Sequence, residues 1–152
     1  MALISRLRRL LRPRRAAAPV SEPAWSEYAP RRDGKPDPGE VVWAWVPFDE
    51  NDGRGKDRPV LVLTIQRDEV RALMLTSKDH HRDAADEARW GRYWMDVGSG
   101  PWDRKGRPSE VRLDRLLRLP IGAVRREGAA LDRATYLLVV EQAQRVQRSR
   151  RT

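Results

Sequence analysis

Residues 58–76 read RPVLVLTIQRDEVRALMLT, and this stretch decides the fold. Two runs rich in β-branched and aliphatic residues, 60–65 and 70–76, are separated by a short polar turn at 66–69. Runs of this length and composition on either side of a polar turn are typical of two antiparallel strands. The stretch therefore predicts a β-hairpin.

Three further strands are predicted around this hairpin. Residues 40–46, EVVWAWV, alternate β-branched and aromatic side chains between two faces and predict the first strand. Residues 92–97 predict the fourth strand, and residues 110–119 predict a fifth with its apolar side chains on the buried side. The polar segment 77–89 between them predicts a connection with a short helix.

Residues 130–148 predict a C-terminal amphipathic helix that covers the sheet. Its apolar positions recur near helical spacing: Leu131, Ala134, Leu138, Val139 and Val146. The sum of these patterns is a mainly β domain with one main helix.

Composition excludes several classes of site. The chain has 152 residues, about one domain, and contains no cysteine, which removes disulfides, thiolate nucleophiles and cysteine-ligated metals. His80 and His81 are the only histidines, so an all-protein transition-metal site is not expected. No apolar run approaches the roughly 20 residues that span a bilayer, and we expect a cytoplasmic protein without a cofactor.

The net charge of +9 is concentrated at the two ends of the chain. Residues 1–15 hold six arginines and residues 145–152 hold four, and neither segment contains an acid. Residues 16–144 carry the remaining 21 basic side chains against 22 acidic ones. Affinity for a nucleic acid must therefore come from a local arrangement of cations on the domain or from the tails.

The chain divides into a basic N-terminal extension and Pro-rich linker at 1–38, a folded domain at 39–148 and a basic tail at 149–152. Residues 3–11 place apolar side chains on one face of a potential basic helix. Such a helix would contact a membrane surface, RNA or a partner. The alternative is a solvated, largely unstructured extension.

Four short motifs, in this order and spacing, resemble the PemK/MazF toxins of toxin–antitoxin systems. Residues 39–43, GEVVW, are similar to the first strand of that family, and residues 57–63, DRPVLVL, to its Arg-Pro entry into the second strand. Residues 75–77, LTS, are similar to the end of its third strand, and residues 111–114, VRLD, to a later element. The resemblance covers about residues 39–146.

The resemblance implies an SH3-like barrel of about five to seven strands. It also implies a homodimer, a cognate antitoxin and metal-independent cleavage of single-stranded RNA, whether mRNA, tRNA or rRNA, by attack of a 2′-hydroxyl on the adjacent phosphate. The acid that some members place shortly before the Arg has no certain equivalent. Asp52 is the nearest candidate.

Arg58 and Thr76 are the catalytic residues that the resemblance implies, and the hairpin should bring both to one rim of the domain. An arginine fork can hold phosphate oxygens, and a threonine hydroxyl can donate to the same phosphate. His80 and His81 follow Thr76 and are candidates for a proton shuttle, because imidazole titrates near neutrality. Exposed residues at a helix start are the alternative.

Further RNA contacts are expected from Lys56, Ser77 and Lys78, which flank the two catalytic positions. Trp102 lies beside a Gly-Pro turn and is expected to be an exposed platform for base stacking. Trp43 is expected in the core because a small barrel needs bulky side chains.

Two other functions remain open at this point. The domain could be a non-catalytic RNA-binding or protein-binding module, an interpretation that the near-neutral central region favours. A gyrase poison on the same barrel is less favoured, because the chain ends in SRRT rather than in the aromatic and small residues expected for one.

Overall fold

The computed structural model describes residue 25 and residues 27–31, 35–79 and 84–150. In chain order the elements are β1 (Glu40–Pro47), β2 (Gly55–Gln66), β3 (Glu69–Thr76), α1 (Ala84–Arg89), β4 (Trp94–Gly98), β5 (Ser109–Arg112), β6 (Leu117–Pro120), a 3-10 turn (Ile121–Ala123), β7 (Val124–Ala130) and α2 (Arg133–Ser149). The prediction of a mainly β domain with a C-terminal helix is confirmed.

The strands form one antiparallel sheet in the order β4-β5-β3-β2-β1-β7. The predicted hairpin is its centre: β2 and β3 pair from Val60 opposite Met74 to Gln66 opposite Glu69. The outer edge of β3 is shared, because β6 pairs with residues 69–72 and β5 pairs with Leu75 and Thr76. Among the described residues no ladder joins β4 to β7, so the sheet is not closed.

The hairpin is buried on both faces, which explains its unbroken apolar runs. One face packs into a cluster that α2 covers and that includes Leu61, Leu63, Leu73 and Leu75. The other face contributes Val60, Val62, Ala72 and Met74 to a second cluster, which β1 and β6 complete. Because successive side chains of a strand point to opposite faces, each strand serves both cores.

Asp132 is the N-cap of helix α2, and its carboxylate accepts a hydrogen bond of 3.0 Å from the Thr135 backbone N–H. Its buried positions are Tyr136, Val139 and Ala143. Leu138 was expected in the core but is 46% exposed. The buried face of α2 runs through Tyr136, Val139 and Ala143, and Leu138 lies outside it. Burial raises the pKa of Tyr136 to about 12, and its hydroxyl donates to the Leu63 carbonyl.

Three boundaries differ from those expected. The segment 110–119 is two strands, β5 and β6, because the chain turns at Asp114, a buried carboxylate. Strand β2 starts at Gly55 and includes Pro59. A proline has no backbone N–H to donate, and the strand tolerates it because the ladder to β3 starts only at Val60. Strand β7 was not expected as a separate element; it pairs with the edge of β1 that faces away from the hairpin.

Part of the expected N-terminal linker belongs to the folded domain. Trp25 and Tyr28 pack against the α2-covered cluster, and the Tyr28 hydroxyl donates a 2.7 Å hydrogen bond to the Leu131 carbonyl. The ring of Tyr28 lies 5.5 Å from that of Tyr136 and against Gly39, which has φ +96°. The potential helix at residues 3–11 lies outside the described residues. None of the described helices combines the length and apolar character needed to cross a membrane.

Replacing Tyr28 should destabilise the whole domain. We expect Tyr28→Ala to lower the free energy of unfolding by about 1–3 kcal/mol, because a half-buried ring and a hydrogen bond to the start of α2 are lost. Tyr28→Phe should cost only about 1 kcal/mol, the usual net value of one hydrogen bond. Guanidinium unfolding curves measure both changes. A Tyr28→Ala curve that overlays the wild-type curve would show that this segment is not part of the core.

Candidate functional site

An open groove of about 690 Å³ lies where β1 and β3 end and β2 begins. The loop after β1 forms one part of its lining, and α1 with the start of β4 forms another. Seven basic and three acidic side chains line it. The basic ones are Arg54, Lys56, Arg58, Lys78, Arg92, Arg112 and Arg115. A chain whose residues 16–144 are almost neutral therefore concentrates cations at one place, as a site for a polyanion requires.

Arg58 and Thr76 meet in this groove. Val60 of β2 lies directly opposite Met74 of β3, and both side chains belong to the second core cluster. Because side chains alternate along a strand, the next position outward on the same face is Arg58 on β2 and Thr76 on β3. Both residues are half-buried and line the groove.

The Arg58 guanidinium is partly desolvated, and burial lowers its pKa below the ordinary value, although an arginine remains charged in proteins. Most arginines of the described chain contact a carboxylate, whereas Arg58 contacts none of the described ones. A half-buried cation without a counter-ion is costly, and binding of an anion relieves that cost. An anion bound at Arg58 would supply the counter-ion that the described residues do not provide.

Thr76, Ser77 and Lys78 form the other side of the same site. The Thr76 hydroxyl oxygen accepts a 3.2 Å hydrogen bond from the Lys78 backbone N–H, which leaves the hydroxyl hydrogen to donate. Lys56 and Lys78 line the same groove as Arg58. The structure thus brings together Arg58, Thr76 and the three flanking residues expected to bind RNA.

His80 and His81 lie outside the described residues. Within the described part of the chain, no cluster of three or more carboxylate or imidazole side chains is arranged to hold a metal ion.

The expectation for Trp102 is wrong. The indole is only 3% exposed and packs into the α2-covered cluster, where its Nε1 donates a 2.9 Å hydrogen bond to Ser109 Oγ. Its carbonyl accepts from Trp43 Nε1 at 3.1 Å. Gly100 permits this burial, since a Cβ there would overlap the indole ring. Trp102 holds the turn before β5 against the sheet and has no free face for a base.

Asp49 is the groove acid that the sequence reading missed. Its Oδ1 accepts 2.7 Å from Arg112 Nη1 and 3.3 Å from Arg115 Nη1, and the hydrogen bond from Arg112 lowers the Asp49 pKa. Asp52, the acid named from sequence, is exposed, pairs with Arg54 and does not line the groove. The available signal in the sequence was Arg112 and Asp114 within the otherwise apolar motif 111–114. A charged side chain in a buried strand usually forms ion pairs, so Arg112 was a candidate partner for a groove acid.

Arg112 is fixed from behind by Asp114. The guanidinium donates through Nη2 at 2.9 Å and through Nε at 3.1 Å to the Asp114 carboxylate, which has no solvent exposure. Burial alone would lower the pKa of Arg112, but the hydrogen bonds with Asp114 and Asp49 outweigh it and raise that pKa. The Tyr93 backbone N–H donates to Asp114 at 2.9 Å. Asp49 Oδ1 is thus held at the groove by an arginine that a buried carboxylate fixes on the opposite side.

Comparison with known proteins places this geometry in context. Residues 37–147 match the family model described as PemK-like, MazF-like toxin of type II toxin–antitoxin system. None of the curated proteins matches the chain. The crystal structure of MazE–MazF (Form II) from Deinococcus radiodurans is 19% identical with a TM-score of 0.47, over 77% of this chain and 96% of that one. Mycobacterium tuberculosis toxin MazF-mt6 is 19% identical with a TM-score of 0.47, over 70% of this chain and 94% of that one.

Breaking the buried ion pair from one side should be far more costly than neutralising both partners. We expect Arg112→Met to lower the free energy of unfolding by about 3–5 kcal/mol, since the interior Asp114 charge then loses its hydrogen-bonded partner and keeps only the more distant, half-exposed Arg150 at 3.6 Å. In the double variant with Asp114→Asn, the amide still accepts from Tyr93 and more than half of the loss should be recovered. Urea unfolding at neutral pH measures both. Equal losses for the single and double variants would contradict this account.

The pairing of Asp49 should appear as a pH-dependent contribution to stability. Because the Asp49 pKa is lowered in the folded protein, its contribution is present above the ordinary value of 3.8 and is lost as pH falls through the folded value. Near pH 7 the free energy of unfolding of the wild type should exceed that of Asp49→Asn by less than about 1 kcal/mol, because the carboxylate is partly exposed. Melting curves near pH 7 and pH 3 test this. A difference that is the same at both pH values would contradict it.

Proposed function

The chain belongs to the PemK/MazF family of toxins from type II toxin–antitoxin systems, and on this premise we propose that it is a metal-independent endoribonuclease. It cleaves single-stranded RNA by attack of a 2′-oxygen on the adjacent phosphate. The P–O bond to the 5′-oxygen of the next nucleotide breaks, which leaves a 2′,3′-cyclic phosphate; the 2′-hydroxyl gives up a proton and the leaving 5′-oxygen takes one up. One observation carries the proposal: a half-buried arginine without a described carboxylate partner lines the same basic groove as a half-buried threonine of the neighbouring strand.

Arg58 binds the scissile phosphate and stabilises the charge that develops on its non-bridging oxygens. A guanidinium presents parallel N–H donors that match two phosphate oxygens. The partial burial of Arg58 strengthens this interaction, because charges attract more strongly away from bulk water. Its position on a strand with both faces in the core keeps it in place before the substrate arrives.

Thr76 donates its hydroxyl hydrogen to the same phosphate. The backbone hydrogen bond from Lys78 occupies one lone pair of the Thr76 oxygen and fixes its direction. The flanking cations Lys56 and Lys78 hold the neighbouring phosphates of the strand, and Ser77 adds a further donor. His80 and His81 remain the proposed source of proton transfer, since histidine is the residue type in this sequence whose ordinary side-chain pKa lies near neutrality.

The remaining expectations from the family are part of the same proposal. The sheet, which no ladder between β4 and β7 closes in the described part of the chain, is an SH3-like barrel, and the protein acts on RNA in the cytoplasm. A cognate antitoxin protein neutralises it, and the toxin is a homodimer. Large apolar side chains that stay exposed on the single chain support such protein contacts. They include Trp45, Tyr93, Leu137 and Leu138.

Removing either catalytic group should abolish most of the activity without unfolding the protein. We expect Arg58→Ala and Thr76→Val each to slow RNA cleavage by roughly 10²-fold or more. The double variant should fall well short of the product of the two losses, because both groups act on one phosphate. Gel-based cleavage rates under single-turnover conditions measure the coupling.

Arg104→Ala is the matched control, because Arg104 is exposed and does not line the groove. It should leave the rate unchanged. Normal melting of Arg58→Ala with undiminished cleavage would refute the assignment of Arg58. Wild-type protein that binds RNA but never cleaves it would instead indicate a non-catalytic binding module.

A further inference from the structure

One wall of the groove is an indole held in a fixed orientation. Trp94 of β4 lines the groove, and its Nε1 donates a 3.2 Å hydrogen bond to Glu87 Oε2 on α1. The same Glu87 carboxylate accepts from Arg92 at 2.6 and 3.3 Å, so its charge is neutralised. The edge of Trp94 packs against the second core cluster. The ring is therefore anchored at its polar end and at its apolar edge.

This indole lies next to Asp49. Trp94 is directly opposite Arg112 in the ladder between β4 and β5, and the Arg112 guanidinium holds Asp49 Oδ1. Directly opposed residues of antiparallel strands have their Cβ atoms about 4.5–5.5 Å apart on one face. Trp94 and Asp49 consequently flank the same guanidinium, in the groove that also contains Arg58.

Asp49 has one oxygen committed and one available. Both of its hydrogen bonds to described residues, from Arg112 and from Arg115, end on Oδ1, and none ends on Oδ2. The carboxylate is 41% exposed, so Oδ2 is accessible from the groove. An ionised carboxylate oxygen repels the phosphates of a polyanion. In a groove that binds one, Oδ2 can contribute to binding by accepting a hydrogen bond from a donor group of the ligand.

We propose that Trp94 and Asp49 form a nucleobase subsite, in which the indole stacks on one base of the RNA strand and Asp49 Oδ2 accepts a hydrogen bond from the exocyclic amino group of that base. The subsite rests on the proposed RNA-binding function of the groove. It favours adenine, cytosine or guanine over uracil. Uracil has no amino group, and its single ring N–H lies between two carbonyl oxygens that a carboxylate repels.

The anchoring of Trp94 supports this role. Stacking of a base on an aromatic side chain contributes most when the ring does not have to be ordered on binding. A base placed on Trp94 lies between the aromatic wall and the Arg112–Asp49 pair. Its phosphate can then reach Arg58, so stacking also sets the register of the strand relative to the catalytic pair.

The test measures binding separately from cleavage. Full-length protein is titrated with fluorescein-labelled 2′-deoxy oligonucleotides of about twelve adenines, cytosines or uracils, which lack the attacking hydroxyl and cannot be cleaved. Trp94→Leu retains apolar bulk but loses the ring, and Trp94→Phe retains a ring. Trp90→Leu is the matched control, since Trp90 is 74% exposed and lies outside the groove lining.

We expect Trp94→Leu to weaken binding of all three oligonucleotides by about 5- to 150-fold, the range for losing one base–aromatic stack. Trp94→Phe should keep most of the affinity, and Trp90→Leu should bind as wild type does. Equal affinities of Trp94→Leu and wild type would overturn the stacking contact. If Trp94→Leu does not fold, the comparison of Trp94→Phe with wild type and the Asp49 experiment decide.

Asp49→Asn tests the acceptor. Wild type should prefer adenine and cytosine over uracil by about 10-fold or more, the scale of a hydrogen bond to a charged group, and Asp49→Asn should lose that preference. Asp52→Asn, which removes a carboxylate of the same loop outside the groove, should keep it. An unchanged base preference in Asp49→Asn, or no binding of any oligonucleotide by wild type, would overturn the subsite.

Cleavage of matching RNA separates this inference from the proposed function. RNA cleavage by wild type with no effect of Trp94→Leu on binding rejects the subsite alone. Base-selective binding that depends on Trp94 and Asp49, without any cleavage of RNA, rejects the nuclease and keeps the subsite.

Discussion

The carboxylate of Asp114 is shielded from solvent, and its charge is balanced inside the protein by the Arg112 guanidinium. Several parts of the structure depend on this pair. Asp114 accepts from the backbone of Tyr93 ahead of β4, and its carbonyl accepts from Arg150 at the end of α2. On the groove side, Arg112 holds Asp49 in the loop after β1. A single buried ion pair thus connects three segments that are distant in sequence.

The hairpin β2–β3 imposes a second constraint, because its two apolar faces each belong to a different core. A slip of one residue in its register would exchange the two sets of side chains, and neither core would accept the other's volume. The register is therefore fixed by packing. Since Arg58 and Thr76 continue the same face as Val60 and Met74, packing in the interior also sets the distance between the two polar side chains in the groove.

The features that follow from local pattern could be predicted from the sequence, and those that depend on distant partners could not. The hairpin, β1 and α2 have strong periodicity. Arg58 and Thr76 were named through the family resemblance, and the hairpin pattern predicts that both lie at its open end. Strand β7, read as VRREGAA, has no such pattern and forms because β1 offers it a ladder. Trp102 lies beside an apparent surface turn, and only the packing of Gly100 against its ring shows that the side chain points inward. Asp49 acquires its role from Arg112, more than sixty residues later.

The contact between Tyr28 and Leu131 joins residues 103 positions apart, and it has a consequence for synthesis of the chain. During translation Tyr28 leaves the ribosome long before its partners, and β1, β2 and β3 follow with one face still uncovered. That face is closed only when α2 has been synthesised. Long-range closure of this kind makes folding slow. A nascent chain that has not yet reached α2 therefore exposes the apolar face of its central hairpin and is prone to aggregate until the helix covers that face.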